Sequence, residues 1–332
     1  MSMKTDNKSK RSLWLMTESV VMFFLLSGVG ISLADQMEVY THAARIASSV
    51  GAVMDELRTI KIAYLHQYKV FNEDAEGSLR YVRTTRRVAY LKRSESEGTL
   101  LRVDVLDGKM ERDGRTFGPL DDELFFYLPS GSVKVYSDGR IKSPLLTPSA
   151  GLLSFPLQFA HQAGISVQTG ELYSFEDLID QAIEKDRGQE GNLSIRPHPS
   201  RSELAQVNVR KPKARTYWVH NYNEREDWLD ETVVCGTTSN GLPDMNNVIQ
   251  NWTPSEERLS VLHGLPACAT VTTHRVNWQA EGPSPVTTTT PYVQQHVSIT
   301  ACEINLELPD SLFDPANVMC PPVIPPKRPL GQ

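Results

Sequence analysis

From Thr59 onward the chain alternates apolar and polar residues with a period of two, which is typical of β-strands that bury one face. The stretch TIKIAYLHQYKV at 59–70 places Ile60, Ile62 and Tyr64 on one side and Lys61 and Ala63 mostly on the other. Further alternating segments follow, separated by the turn-forming pairs Asp107–Gly108, Asp113–Gly114, Ser130–Gly131 and Asp138–Gly139. Because such pairs favour tight reversals, the sequence predicts an antiparallel meander.

The segment TLLRVDVLDG shows the division between two faces most clearly. Leu101, Val103 and Val105 share one side of this predicted strand, while Arg102 and Asp104 share the other. Antiparallel sheets commonly bury one face and expose the other to water. We therefore predict that the valine side is buried and that the Arg102 side is solvated.

An amphipathic helix is predicted before the strands, over residues 38–57. Its apolar residues recur at spacings of four and three: Val39, Ala43, Ile46, Val50, Val53 and Leu57. Such a helix is not stable alone in water, so its stripe must cover apolar surface, and strand 59–70 offers that surface. A second helical region is predicted within residues 144–186. The predicted fold class is therefore α+β, a curved antiparallel β-sheet that covers an N-terminal helix and a helical insertion.

The second half of the chain returns to strands after a break. Residues 186–202 are rich in glycine, proline, serine and charge, which indicates a loop or a seam between subdomains, with a short strand at Leu193–Ile195. Alternation then resumes in segments such as CATVTTHRVNW and QQHVSITACEINLEL. The final residues 316–332 contain too many prolines to pair in a sheet, and they predict an extended tail.

The first 34 residues have the order of a signal peptide. Lys4, Lys8, Lys10 and Arg11 precede the apolar run SVVMFFLLSGVGISLA, which ends on small residues. This order predicts cleavage near Ala34 and a periplasmic or secreted protein that is peripheral to the membrane at most. The alternative is an uncleaved N-terminal membrane anchor, although the run is short for a spanning helix.

The charge balance makes nucleic-acid binding improbable. The chain has 34 basic and 40 acidic residues, and loss of the leader would make it more acidic because the leader is net basic. No block of lysine or arginine occurs after the leader. The phosphate backbone of nucleic acids selects for such blocks, so we predict no nucleic-acid partner.

All four cysteines lie in the last third of the chain: Cys235, Cys268, Cys302 and Cys320. In an oxidising compartment they are candidates for one or two disulfides, and the sequence leaves all three pairings open. Free buried thiols are the alternative. The spacing contains no close pair of the CxxC type, and the histidines are scattered, so neither a metal site nor a cofactor is predicted.

The order of these elements resembles a known family. A helix, a long meander, a helical insertion, further strands and the closing segment EINLELPDSLFDP are similar to the exported lipoprotein carriers of the LolA, LolB and RseB type. The resemblance covers roughly residues 37–315, and we place the domain at 35–315. It implies a half-open β-barrel lidded by helices, with an apolar cavity for acyl chains. It implies a lipid or lipoprotein ligand as well.

Seven residues on the predicted strands are the candidates for lining such a cavity: Ile62, Tyr64, His66, Tyr68, Leu101, Val103 and Val105. His66 has two interpretations, either a pocket residue that meets a head group or a structural histidine bonded to a neighbouring strand. The alternation sends Arg83 and Arg87 to one face and Arg86 to the other. These arginines either meet an anionic head group or pair with surface carboxylates.

The sequence contains no motif that nominates a catalytic site. It has neither a GxSxG element nor a phosphate-binding glycine loop, and its carboxylates follow no spacing typical of an acid–base pair. We therefore predict an exported, non-enzymatic protein that binds an apolar ligand, a lipid or a lipidated partner. Two alternatives stay open. One is a structural or protein-interaction module of the cell envelope, and the other is a hydrolase.

Overall fold

The fold is described from a computed structural model. The structure describes residues 33–55, 57–72, 78–94, 98–120, 123–128, 131–136, 138–142, 164–165, 172–173, 179–180, 182–184, 193–211, 216–261, 265–279 and 286–316. Residues 1–32 of the predicted signal peptide, most of the predicted helical insertion and nearly all of the tail lie outside these residues. Leu33 and Ala34, at the predicted cleavage site, are described, and the cleavage itself stays a prediction.

The described chain is mostly antiparallel β-sheet with few helices. It contains the helix α1 (Leu33–Asp55) and the strands β1 (Thr59–Phe71), β2 (Leu79–Ser94), β3 (Gly98–Arg112), β4 (Arg115–Phe117), β5 (Glu123–Leu128), β6 (Gly131–Tyr136), β7 (Ile141–Lys142), β8 (Gly164–Ile165), β9 (Leu172–Tyr173), β10 (Leu193–Pro197), β11 (Leu204–Lys211), β12 (Thr216–Asn223), β13 (Trp228–Thr237), β14 (Pro243–Pro254), β15 (Cys268–Gln279) and β16 (Val286–Ile304). A short 3₁₀ helix follows at Asp310–Phe313.

One sheet contains fourteen of these strands, and it is not closed. Its order is β10-β11-β12-β13-β14-β15-β16-β1-β2-β3-β5-β6-β7, with β4 paired to β3, while β8 and β9 form a separate pair. The strands before and after the predicted seam at 186–202 belong to the same sheet, because β16 pairs with β1. The predicted domain bounds themselves stay a prediction.

The chain forms two compact units, residues 1–42 and residues 43–332. In the first unit, the described part of α1 is held by contacts one turn apart, such as the bond from Gln36 Nε2 to the Tyr40 hydroxyl at 2.7 Å. The second unit contains the sheet and the rest of α1. There Ala43 and Ile46 of the predicted apolar stripe are fully buried, and Ala47, which the stripe did not include, is fully buried as well.

The two faces of the central strands follow from the register. Residues directly opposite each other on neighbouring antiparallel strands share a face. We call the side of the sheet that carries Tyr64 and His66 of β1 the His66 face, and the side that carries Ala63 and Leu65 the Leu65 face. These names are extended from strand to strand through the observed pairs, for example from His66 to Thr85 and from Leu65 to Arg86.

The C-terminal half of α1 is attached to β12 on the His66 face. Arg45 Nη2 donates to Glu224 Oε1 at 2.7 Å, and the Ser49 side chain hydrogen-bonds Tyr222. The register from β1 through β16, β15, β14 and β13 places Tyr222 on the His66 face. The sequence predicted helix 38–57 over strand 59–70. The helix runs instead from Leu33 to Asp55, and these hydrogen bonds join it to a different strand.

The pair Asp107–Gly108 does not form the predicted turn. β3 continues through both residues to Arg112, and a register shift occurs between Arg86 and Arg87 on the facing strand. Gly108 is required here because a Cβ would lie 2.7 Å from Thr85 Cγ2 and 3.0 Å from the Thr84 carbonyl oxygen. This glycine therefore permits a close approach at a β-bulge rather than a reversal. The turn predicted at Asp113–Gly114 is present, with both residues at positive φ.

The Arg102 side of β3 is buried, which contradicts the predicted solvated face. Arg102 and Asp104 are only 8% and 6% exposed, and they form a two-point ion pair with N–O distances of 2.6 and 2.9 Å. The 3₁₀ helix accounts for part of this cover. Arg102 Nη1 donates to the Leu312 carbonyl oxygen at 3.1 Å, and Phe313 is buried.

Candidate ligand-binding site

The register brings all seven predicted cavity residues to one face of three neighbouring strands. In β1 these residues are Ile62, Tyr64, His66 and Tyr68, which face Ala89, Arg87, Thr85 and Arg83 of β2. In β3 they are Leu101, Val103 and Val105, which face Leu91, Ala89 and Arg87. The predicted residues therefore form one continuous patch on the His66 face.

Most of this patch is buried in the structure. Six of the seven residues have no more than 1% of their surface exposed, and only Tyr68 is half-buried. We call the five apolar or aromatic buried positions the floor: Ile62, Tyr64, Leu101, Val103 and Val105. Since the floor is already covered, its role as the lining of a cavity stays a prediction.

Next to the floor, toward Tyr68 of β1, lie half-exposed polar and aromatic residues. We call this group the rim: Tyr68, Tyr81, Arg83 and Gln295. Tyr68 lies opposite both Arg83 and Gln295, and the centroids of the Tyr68 and Tyr81 rings are 6.3 Å apart. Partial burial, followed by the proximity of Tyr81, raises the pKa of Tyr68, so the Tyr68 hydroxyl stays protonated and can donate a hydrogen bond at neutral pH.

His66 lies at the border between floor and rim. Its Nε2 is 3.1 Å from Gln295 Oε1 of β16, which is the bond to a neighbouring strand that the structural interpretation of His66 requires. Burial holds the pKa of His66 well below its ordinary value, and nearby Arg87 and Arg83 lower it further. His66 is therefore a neutral imidazole that donates to Gln295 when Nε2 carries the proton.

Three basic residues and one acidic residue surround this border. Arg87 is 2% exposed, and its Nε donates to Thr85 Oγ1 at 2.8 Å. Glu123 of β5 accepts from Lys134 Nζ at 2.7 Å and lies 3.7 Å from Arg83 Nη2. The predicted division of arginines between the faces is confirmed, because Arg86 lies on the Leu65 face in an ion pair with Asp107.

A concavity in the described residues lies away from this face. It has a volume of about 400 Å³ and is lined by Thr59, Lys92, Leu306, Glu307, Leu308 and Pro309. The Lys92 ammonium is already engaged, with the Leu308 carbonyl oxygen at 2.7 Å and Asp310 Oδ1 at 2.6 Å. These contacts attach the segment after β16 to β2, so we interpret the concavity as part of the fold.

The cysteines do not pair within the described residues. Cys235, Cys268 and Cys302 are free thiols on three different strands. Cys268 lies opposite Ser298, four residues from Cys302 along β16, which corresponds to roughly 13 Å and is too far for a disulfide. Burial raises the pKa of Cys235 and of Cys302 to about 11. Cys320 lies outside the described residues, so the predicted disulfides are not shown.

Neither a metal cluster nor a membrane-spanning helix occurs in the part of the chain that the structure describes. No group of three or more histidine, cysteine or carboxylate side chains is placed to hold a metal ion there. None of the described helical residues forms a helix that is long and apolar enough to cross a membrane. Residues 1–32, which belong to the predicted signal peptide, lie outside the described residues.

The rim could be recognised only in part from the sequence. Tyr68 and Arg83 were candidates because of their alternation, but Tyr81 and Gln295 were not. Gln295 is 227 residues from Tyr68 along the chain and becomes its neighbour because β16 pairs with β1. The available signal was the long strand QQHVSITACEINLEL, whose partner the sequence does not specify.

Comparisons with known proteins give structural neighbours alone. No family model matches the sequence, and no curated protein matches it. One neighbour is a DUF1329 family protein from Desulfovibrio piger, with 11% identity, a TM-score of 0.40, and coverage of 83% of this chain and 97% of that chain. Another is a putative outer membrane lipoprotein-sorting protein domain from Vibrio parahaemolyticus, with 8% identity, a TM-score of 0.41 and the same coverage.

A third neighbour is the MucA/MucB complex from Pseudomonas aeruginosa, with 11% identity, a TM-score of 0.22, and coverage of 80% of this chain and 94% of that chain. The Vibrio neighbour is of the kind that the sequence resemblance predicted. These identities and scores are too low to assign a family. Function is therefore argued from the residues of this chain.

Proposed function

We propose that this chain is an exported, non-enzymatic binding protein that takes an amphipathic ligand, the acyl chain of a lipid or of a lipidated partner, on the His66 face. One observation supports this proposal most strongly. On β1 and its neighbouring strands, an apolar floor passes into a half-exposed rim of tyrosines and an arginine on β1 and β2 and a glutamine on β16. An amphiphile has the same division, with an apolar chain and a polar end.

The apolar floor can supply most of the binding free energy. Burying an acyl chain gains about 0.8 kcal/mol per methylene group, so eight methylenes contribute roughly 6 kcal/mol before ordering costs. The rim residues would set the orientation of the ligand. Because the floor is covered, we expect the ligand to enter at the rim and to displace the segment that covers the floor.

The first test is the lipid content of the protein purified from its own host. Mass spectrometry of a solvent extract is expected to show one class of acyl-containing molecule at a fixed ratio to protein. Delipidated protein is expected to take up a fluorescent fatty acid. Empty protein with no uptake of the fatty acid contradicts the proposal.

Two variants of β1 sharpen this test. Tyr68→Ala removes a rim side chain, and we expect about a tenfold weaker affinity for the fluorescent fatty acid because an aromatic contact is lost. Leu65→Ala is the matched control, since Leu65 lies three residues away on the opposite face and is 39% exposed. Thermal unfolding of both variants shows whether they fold. Equal affinities in two folded variants would place the ligand elsewhere.

A second candidate function uses the Leu65 face. Leu65 lies directly opposite Arg86, and Leu106, which is 45% exposed, precedes Asp107, the partner of Arg86 in β3. Exposed leucines beside an ion pair fit the rim of a protein contact. Crosslinking in cells through a photoreactive residue at position 65 tests this candidate, and a specific envelope protein as the product would support it.

A further inference from the structure

Arg83 is the charged residue of the rim, and its hydrogen-bonding groups are only partly satisfied. Its side chain is 29% exposed, yet its Nε is buried and has no hydrogen-bond acceptor among the residues that the structure describes. Buried donors in folded proteins are nearly always bonded, so an orphaned Nε–H requires an explanation. A ligand oxygen at this position would provide one.

The carboxylate nearest to Arg83 is already engaged by another residue. Glu123 lies 3.7 Å from Arg83 Nη2, which is beyond hydrogen-bonding distance. Glu123 Oε1 instead accepts from Lys134 Nζ at 2.7 Å. The guanidinium of Arg83 therefore retains donors for an acceptor outside this pair.

On the neighbouring strand β3, a glycine and a methionine lie beside Thr85 and Arg83. The strand next to β2 presents Gly108 opposite Thr85 and Met110 opposite Arg83. A larger residue at position 108 would meet Thr85 Cγ2 at 2.7 Å and Leu120 Cδ1 at 3.1 Å. Position 108 is therefore closely packed, and the exposed part of Arg83 lies opposite the half-buried Met110.

Basic groups outnumber acidic ones beside Arg83 in the part of the chain that the structure describes. Arg83 and Lys134 lie next to Glu123, while His66 is neutral. Beyond the effect of burial, Arg87 and Arg83 lower the pKa of His66, which is the effect of a positive potential on a neighbouring base. Two tyrosine hydroxyls of the rim add further donors. This arrangement favours an oxygen anion over a neutral polar group.

We propose that the rim is a subsite for an anionic head group, either a carboxylate or a phosphate, with Arg83 as its principal donor. This inference rests on the proposed function and deepens it, because it restricts the ligand to anionic amphiphiles. The acyl chain would extend from Arg83 toward the floor. The anion would accept from Nε and a terminal nitrogen of Arg83, in the two-point geometry that guanidinium groups favour.

The experiment compares ligands that differ only in the head group. Delipidated full-length protein is loaded with the neutral probe N-phenylnaphthylamine, which is then displaced by oleate or by oleyl alcohol. We expect oleate to bind at least about tenfold more tightly, since hydrogen bonds to charged groups are roughly twice as strong as neutral ones. Vesicles of phosphatidylglycerol and of phosphatidylcholine repeat the comparison for phosphate, and inorganic phosphate alone distinguishes a lipid head group from a free anion.

Arg83→Gln and Arg86→Gln are the matched variants. Both remove an arginine from β2, but Arg86 lies on the Leu65 face and is paired with Asp107. We expect Arg83→Gln to abolish the preference for oleate over oleyl alcohol and Arg86→Gln to preserve it. Should Arg83→Gln fail to fold, Arg83→Lys keeps the charge without the two-point geometry, and we expect it to retain only part of the preference.

The outcomes separate the two proposals. If oleate and oleyl alcohol bind equally and Arg83→Gln changes neither, the anionic subsite is wrong while the proposed binding function stands. If no amphiphile displaces the probe, the proposed function fails and the subsite fails with it. If inorganic phosphate alone binds with the affinity of the lipid, the site recognises a free anion and the restriction to amphiphiles is wrong.

Discussion

The two faces of β3 bury different chemistry although the strand has one simple alternating sequence. On the His66 face, Leu101, Val103 and Val105 are buried as part of an apolar floor. On the Leu65 face, the ion pair between Arg102 and Asp104 is buried as well. An alternating pattern therefore shows which residues share a face, but it does not show which face is covered.

The cover on the Leu65 face comes from the chain itself, after β16 has ended. Asn305 bonds back to β1, with its amide nitrogen 2.7 Å from the Thr59 carbonyl oxygen, and the chain then crosses to β3, where Phe313 is buried. The rings of Tyr90 and Phe126 lie 5.8 and 5.6 Å from Arg102 Cζ. Further along the same face, Leu65 and Leu106 stay exposed. The Leu65 face thus has a local structural cover, whereas we assign ligand binding to the His66 face.

The largest effect is expected from breaking the buried ion pair. Asp104→Ala leaves the charge of Arg102 buried without its carboxylate, and we expect the free energy of unfolding to fall by about 3–5 kcal/mol. Asp107→Ala is the control, because it removes the partner of Arg86 in a pair that is largely exposed, and we expect a loss below about 1 kcal/mol. Chemical denaturation measures both variants. Similar losses would mean that the cover over Arg102 is not stable in solution.

A smaller effect is expected in the pH dependence of the free energy of unfolding, which tests the burial of His66. The pKa of His66 in the folded protein lies well below 6.5. As the pH falls below 6.5, the unfolded chain therefore binds more protons than the folded protein does. Stability contributed by neutral His66 is therefore complete above pH 6.5 and decreases below it, by at most about 1.4 kcal/mol per pH unit. Denaturation at several pH values measures the slope.

The His66→Gln variant isolates this contribution. Glutamine keeps a side-chain hydrogen-bonding group near Gln295 but does not titrate, so we expect a flatter stability profile between pH 6.5 and 5.5. Leu65→Gln introduces a glutamine at an exposed position of the same strand without removing a titrating group, so it is the control and is expected to keep the slope of the unmodified protein. An unchanged slope in His66→Gln would show that His66 is accessible to protons in the folded state.

Sequence reasoning predicted the local structure of the first strands well. Strand 59–70 is observed as Thr59–Phe71, because its period-two pattern of β-branched and aromatic residues has one consistent solution. It failed at Asp107–Gly108, where a pair typical of turns serves a bulge within β3. The pair Asp–Gly occurs both at this bulge and at the turn Asp113–Gly114, so the local sequence does not distinguish the two structures.

The candidate site depends on how distant strands pair, and the sequence of a single strand does not predict this pairing. Alternation placed Tyr64, His66 and Tyr68 on one side of the chain, and the register confirms this. It could not show that Gln295 would bond His66, since that contact depends on the pairing of β16 with β1. The burial of Arg102 likewise depends on a 3₁₀ helix more than 200 residues away. Long-range pairing therefore determined what the local pattern left open.

The central claim is that the His66 face, and not the Leu65 face, receives the ligand. Photocrosslinking of the delipidated protein with a fatty acid that carries a photoreactive group on its chain, followed by peptide mapping, tests this claim most directly. We predict crosslinks that fragmentation of the labelled peptides assigns to Tyr68, Tyr81 or Met110 themselves, competed by unlabelled fatty acid. Crosslinks confined to Leu65 and Leu106, or labelling that unlabelled fatty acid does not reduce, would contradict the account.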